Sequence, residues 1–285
     1  MLEAHGRRLG RDVLIAFSPE RLDPGNTEYR LNSIPKLIGG LDLESTNATQ
    51  ALYERAFQTI VPVSHARVAE AAKLLENVYR AVNIAFVNEL DTIFSKLGVD
   101  TFEVIQAAST KPFGFQPFYP GPGLGGHCLP IDPFYLAWKA KAQGTPSRFI
   151  ELAGEINSQR PQRVLDRIEE ALADQDLTFS DAKVLILGVA YKRGVSDTRE
   201  SPGLVILQKL SERGTQVAYC DPLVPKLPIT RRSNLQLESL TLDAQRVAAF
   251  DAVVLVTDQV DIDLQLIAQH ARAIIDTRNA LRRAP

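Results

Sequence analysis

The feature that most constrains this chain is the stretch from Ala66 to Leu97. Apolar residues recur there in steps of three and four: Val68, Ala71, Leu75, Val78, Val82, Phe86, Leu90, Ile93 and Leu97. That spacing marks one face of an α-helix. At 1.5 Å per residue such a helix runs about 45 Å, long for a globular protein, and the spacing predicts a spine joining two domains. Lys73 and Asn77 lie four apart on it and share a face. Taken alone they read as a surface lysine and a solvated amide.

On either side the pattern is α/β. Residues 12–17 read as a buried strand that ends in Ser18-Pro-Glu-Arg-Leu-Asp-Pro-Gly-Asn26, whose prolines and glycine make a loop. Residues 36–40 and 59–63 read as further strands, with a helix over 47–57 between them. This is a piece of an open sheet, where ligand residues collect at strand ends. Glu20 in the loop reads, by itself, as a solvated carboxylate. After the long helix come helical segments over 100–108, 135–143, 147–157 and 164–173, with Pro161 marking a break. A second α/β block follows, with strands at 183–188, 216–220, 252–256 and 273–276 and a helix ending near Leu210. The predicted domains are 1–64, 65–175 and 176–285.

The glycine-rich segment Gly-Pro-Gly-Leu-Gly-Gly-His-Cys-Leu-Pro-Ile-Asp-Pro, residues 121–133, carries Cys128. Gly121, Gly123 and Gly126 formally spell G-x-G-x-x-G, but the dinucleotide fingerprint needs a strand before it and a helix opening at its last glycine. A proline- and phenylalanine-rich stretch precedes it, and Pro130 and Pro133 argue against a strand or a helix start there. The glycines permit close approach of backbone to a ligand with a thiol at the centre. A tight turn around an inert cysteine is the other reading of the same residues.

Composition narrows the classes. The 285 residues are 45% hydrophobic and 23% charged, with a net charge of −2, so neither nucleic acid nor a membrane is an expected partner. No apolar run reaches membrane-span length, and the N-terminus has no signal-peptide core. Two cysteines make no disulfide framework, and no Cys/His cluster has metal-ligand spacing. A cytoplasmic protein with free thiols is expected, Cys220 being structural.

The 121–133 segment resembles the catalytic-cysteine segment of the nucleotide-sugar 6-dehydrogenases, the UDP-glucose/GDP-mannose dehydrogenase family. His127 and Ile131 look like the branch acting on UDP-N-acetylhexosamines. The resemblance extends to Ser-Pro-Glu-Arg at 18–21, to Lys73 and Asn77 on the long helix, and to the loop 189–202. It implies an α/β fold: part of an NAD-binding domain, a central helical domain built on the long helix, and a C-terminal Rossmann-like parallel-sheet domain. It implies NAD as cofactor and a UDP-sugar substrate, oxidised at C6 to the uronate for surface polysaccharide biosynthesis. By resemblance Cys128, Lys73, Asn77, Asp132 and Glu20 are catalytic. Arg21, Leu22, Gly125, Tyr191, Lys192 and Arg278 bind substrate, and Arg199 contacts the dinucleotide. A homodimer or larger assembly through the long helix is implied as well.

The Rossmann strand, Gly-rich turn and helix that open such enzymes have no counterpart before Asp12, so the sequence is expected to lack the cofactor half. Two other readings stay open. One is a non-catalytic module that binds a nucleotide sugar or dimerises; the other is a hydrolase using Cys128, for which no His-Asp pairing stands out.

Overall fold

The computed structural model describes residues 5–230 and 233–283. Met1 to Ala4, the start of the segment read for a signal peptide, lie outside them. The chain forms two compact units, Met1–Val78 and Tyr79–Pro285.

The first unit holds a three-stranded sheet of β1 (Ala16–Phe17), β2 (Lys36–Gly40) and β3 (Ile60–Pro62), in that order. β1 runs antiparallel to β2, and β2 parallel to β3. The strand expected over 12–17 shrinks to two residues. Gly10 donates to the Val13 carbonyl in a turn, and the Ile15 N–H goes to Ser45 Oγ rather than to a strand partner. Helix α1 (Leu43–Tyr53) starts four residues before the expected Asn47 because Asp42 caps it, accepting from the Ser45 N–H. Gly40 leads into this cap: a β-carbon there would lie 2.5 Å from the Asp42 carbonyl oxygen.

Helix α2 (Ala66–Lys96) matches the long periodic segment. It buries small residues, Ala66, Ala69, Ala81 and Ala85, together with Asn77 and Asn88. Much of the apolar stripe read in the sequence, including Val68, Leu75, Phe86 and Ile93, stays exposed.

In the second unit α3 (Thr101–Ser109) is capped by Asp100. Helix α4 (Asp132–Ala142) begins inside the stretch where prolines argued against a helix start. Pro133 sits in its first turn, where a missing N–H costs nothing. Helix α5 (Arg148–Ala173) is continuous, against the expected break at Pro161. An interior proline costs about 3 kcal/mol. Here one buried face from Ile150 through Val164, Leu165 and Ile168 to Leu172, and hydrogen bonds donated by Asn157 to the Ala81 carbonyl and by Arg160 to the Gly121 carbonyl, hold the helix across it.

The C-terminal sheet has β4 (Lys183–Leu187), β5 (Gln216–Cys220), β6 (Ala252–Leu255) and β7 (Ile274–Asp276), all parallel in the order β5-β4-β6-β7. Its strands are apolar runs buried on both faces, covered by α5 and α6 (Pro202–Glu212) on one side. The short helices α7 (Ala244–Ala248) and α8 (Leu264–His270) place Val247 and Ile267 in the core on the other. This is the doubly wound pattern expected of a parallel sheet. Among the described residues no helix is long and apolar enough to cross a membrane, and no cluster of His, Cys, Asp and Glu has metal-binding geometry.

Candidate active site

In the first unit the loop after β1 groups Glu20, Arg21 and Leu22. Glu20 is no free loop carboxylate. Its Oε1 accepts from the backbone N–H of Arg21 at 2.8 Å and of Leu22 at 2.7 Å. Its Oε2 lies 3.1 Å from Lys36 Nζ. Partial burial pushes its pKa up, but the Leu22 amide and Lys36 outweigh that and hold the carboxyl below the usual range. Arg21 reaches the Pro35 carbonyl at 2.9 Å and Glu76 at 2.8 Å. Glu76 is the neighbour of Asn77, so this ion pair ties the loop to the turn of α2 that carries Lys73 and Asn77. Asn77 is fully buried and Lys73 half-buried. Beside Arg21 opens a pocket lined by Asp23, Asn26, Tyr29, Ser33, Ile34 and Pro35.

In the second unit the Cys128 loop is gripped along its length. At its start the Gly121 N–H donates to Asn88 Oδ1 at 3.0 Å, and Arg160 Nε donates to the Gly121 carbonyl at 2.9 Å. Arg160 also donates to the Asn88 carbonyl and pairs with Asp91 at 2.7 Å, while Asn88 donates to Asn157. Buried polar groups must be satisfied, and this network satisfies them by holding one glycine. Arg278 packs against the same residue: a β-carbon on Gly121 would lie 2.8 Å from its guanidinium. Arg278 is itself fixed by a 2.9 Å bond to the Val256 carbonyl.

Further along, the Gly126 N–H donates to the Arg199 carbonyl at 2.9 Å, and the ring of Tyr191 lies against Gly126. Cys128 is half-buried, and its carbonyl accepts from the N–H of Ile131 and of Asp132 as α4 begins. His127 is exposed and Asp132 half-buried. Gly125, Tyr191, Arg199 and Arg278 thus meet at the loop that carries Cys128 and Asp132.

The loop after β4 is equally well pinned. Arg193 bonds Asp258, and Gly194 donates to Gln259 Oε1 at 2.8 Å. Half-buried Lys192 directly precedes these two residues in sequence. Asp197 forms a multiple hydrogen bond to Arg199, which holds the Asp197 carboxyl below its usual range and keeps the guanidinium protonated more firmly. Cys220 is buried, and burial together with Asp221 pushes its thiol up to about 11, in keeping with a structural role.

The strand-end turn at Val189 and Ala190 is where a dinucleotide phosphate would rest in a Rossmann fold. Both amides instead donate to the buried Asp221 carboxylate, at 2.8 and 3.0 Å. The sequence's sole G-x-G-x-x-G, Gly121 to Gly126, follows no strand. At neither of these two places do the described residues form a cradle for a dinucleotide phosphate. Lys36, Asn88, Asn157 and Arg160 escaped the sequence reading. The available signal was polar residues standing in apolar patterns: Asn157 and Arg160 continue the steps of Ile150, Ala153, Val164 and Ile168 on α5, and Lys36 opens the β2 run.

Residues 67–159 match the central domain of the UDP-glucose/GDP-mannose dehydrogenase family, and residues 185–283 its UDP binding domain. An NDP-N-acetyl-D-galactosaminuronic acid dehydrogenase of Ralstonia nicotianae is 35% identical over 269 residues, covering 94% of this chain and 61% of that protein. A UDP-N-acetyl-D-glucosamine 6-dehydrogenase of Pseudomonas aeruginosa is 36% identical over 220 residues, 77% of this chain and 52% of that one. The solved structure of a UDP-D-ManNAc dehydrogenase from Pyrococcus horikoshii superposes with a TM-score of 0.85 at 32% identity, covering 100% of this chain and 65% of that one. The chain thus spans between about half and two thirds of the length of these relatives. With both domains matched in order, the chain belongs to the UDP-glucose/GDP-mannose dehydrogenase family.

Proposed function

We propose that this chain carries the substrate-handling and covalent chemistry of a UDP-N-acetylhexosamine 6-dehydrogenase, which oxidises the C6 alcohol to a carboxylate. The observation that supports it best is the set of contacts converging on the Cys128 loop from the UDP-binding-type domain: Tyr191 and the Arg199 carbonyl at Gly125 and Gly126, and Arg278 at Gly121.

The roles follow from the chemistry. Lys73 and Asn77 steady the C6 oxygen as it becomes an alkoxide; one such donor is worth about 3–4 kcal/mol in the transition state. A water held by Asp132 takes the hydroxyl proton. Hydride leaves C6 and the aldehyde is captured by Cys128 Sγ as a thiohemiacetal, which keeps it from escaping. Loss of a second hydride from carbon, with the hydroxyl proton passing to water, leaves a thioester. Water then adds to its carbonyl as Glu20 takes a proton, the C–S bond breaks, and Cys128 leaves as thiolate. NAD, when bound, supplies the hydride acceptor, two equivalents per sugar. Lys192 and Arg278 offer positive charge to the diphosphate, and Arg21 and Leu22 line the sugar side.

His127 and Ile131 favour UDP-N-acetylglucosamine first and UDP-N-acetylmannosamine next, ahead of UDP-glucose. Comparison of turnover on the three sugars tests this; fastest turnover of UDP-glucose would overturn it. The exposed stripe of Val68, Leu75, Tyr79, Phe86 and Ile93 on α2 supports a homodimer, and a monomer by light scattering at micromolar concentration would contradict it. A second reading, a nucleotide-sugar-binding module without redox activity, is favoured by the sole G-x-G-x-x-G of the sequence, Gly121 to Gly126, following no strand.

A further inference from the structure

We propose that Lys36 is a positioning residue, fixing the carboxylate of Glu20 in the orientation that thioester hydrolysis needs. The role of Glu20 rests on the reading above; the placement of Lys36 does not.

Lys36 is a cation at the first residue of a strand and only 7% exposed. A buried ammonium is costly without a partner, and here the surroundings give it one place to go. The ring centroids of Tyr53 and Phe57 lie 5.7 and 5.2 Å from Nζ, and the two rings meet edge to face. Such rings attract a cation and restrict a flexible lysine stem. Glu20 Oε2, at 3.1 Å, is the anion it meets. The backbone of Lys36 is fixed as well, its N–H donating to the Thr59 carbonyl at 2.9 Å.

Glu20 needs such a hold. Its side chain is 59% exposed, in a loop where free rotation would cost a base its aim. The Arg21 and Leu22 amides fix Oε1, and Lys36 fixes Oε2, leaving the outer face of the carboxylate open to water. Arg21, the neighbouring cation, is drawn away to Glu76 and the Pro35 carbonyl, and Asp23 is the other charged side chain in this turn. Because the Glu20 end of the pair is 59% exposed and screened by water, the pair contributes little to stability, and the Lys36 contact supplies aim. In the step itself water oxygen adds to the thioester carbon, its proton passes to Glu20, and the C–S bond breaks to release the acid and the Cys128 thiolate.

The test uses the whole chain with Lys36→Met, Lys36→Gln and Lys36→Arg, thermal melting confirming that each folds. The first readout needs no turnover: the side-chain carboxylate carbon of Glu20 is titrated by NMR. In the Met and Gln variants its midpoint moves to higher pH, and in Lys36→Arg it returns toward wild type. The second uses UDP-N-acetylglucosamine and NAD. In Lys36→Met, NADH forms in a burst, then hydrolysis slows at least about tenfold and a sugar adduct on Cys128 accumulates by intact mass. Glu20→Gln behaves the same way, and the double variant is no slower than Glu20→Gln. An unmoved Glu20 midpoint in the folded Met and Gln variants overturns the placement of Lys36. A moved midpoint with no slowing of hydrolysis overturns its role in positioning. A moved midpoint in a chain whose wild type forms no NADH upholds the placement and sinks the dehydrogenase reading instead.

Discussion

Gly125 and Tyr191 pack so closely that a β-carbon on Gly125 would lie 2.6 Å from the Tyr191 β-carbon. The only side chain that fits is hydrogen. This contact joins the Cys128 loop to the loop after β4, so whatever occupies one is felt by the other.

Gly125→Ala is therefore expected to displace Tyr191. Overpacking of this kind costs about 1–3 kcal/mol. The change should weaken binding of UDP-N-acetylglucosamine by calorimetry and lower the melting temperature. Unchanged binding would show that the contact does not transmit to the loop after β4.

Arg160 is the keystone of the network around Gly121. Arg160→Met leaves the Asp91 carboxylate and the carbonyls of Gly121 and Asn88 without this donor. Removing one partner of such a buried pair costs about 3–5 kcal/mol. Urea denaturation should show a large loss, with Arg160→Lys recovering part of it. A loss under about 1 kcal/mol would mark the network as dispensable.

The fold was legible where burial leaves a plain record. The strands β4 to β7 are apolar runs with turn residues between them, and α2 announced itself by its period. Helix α5 was not, because Pro161 reads locally as a break and the bonds that carry the helix past it go to Ala81 and Gly121. The short helices α7 and α8 passed unnoticed, although Asp243 and Asp263 cap them in the usual way. Within the site, Cys128 and its loop stood out as residues. Lys36 did not, since its partner Glu20 lies 16 residues earlier and only the folded loop brings them together.

The two cysteines should differ sharply towards iodoacetamide. Cys128 is half-buried, while Cys220 is buried with its thiol pushed up to about 11. At pH 8 the thiolate is the reactive form, so the native chain should take one label, at Cys128, and a second only in urea. Bound UDP-sugar should slow the first. Prompt double labelling of the folded chain would contradict the assignment.

Asp197 sets an acid limit. Its hydrogen bond to Arg199 depresses its folded-state pKa, so its contribution is present above the unfolded carboxyl value of about 3.9 and is lost as pH falls through the lower folded value. Amide exchange at Arg199, whose N–H donates to Asp197 at 2.9 Å, should stay protected as pH falls past the ordinary carboxyl value and rise only at still lower pH. Asp197→Asn should expose that amide at all pH values; an identical pH profile in the variant would rule the pair out as the cause.

The most direct test is the NADH formed per UDP-N-acetylglucosamine consumed, in wild type and in Cys128→Ser. Two NADH per sugar, with uronate formation abolished in Cys128→Ser, is the expected result. Uronate produced by Cys128→Ser at the wild-type rate would contradict covalent capture at Cys128. No NADH from the wild-type chain, in a buffer where a full-length relative is active, would leave a UDP-sugar-binding protein without the redox step.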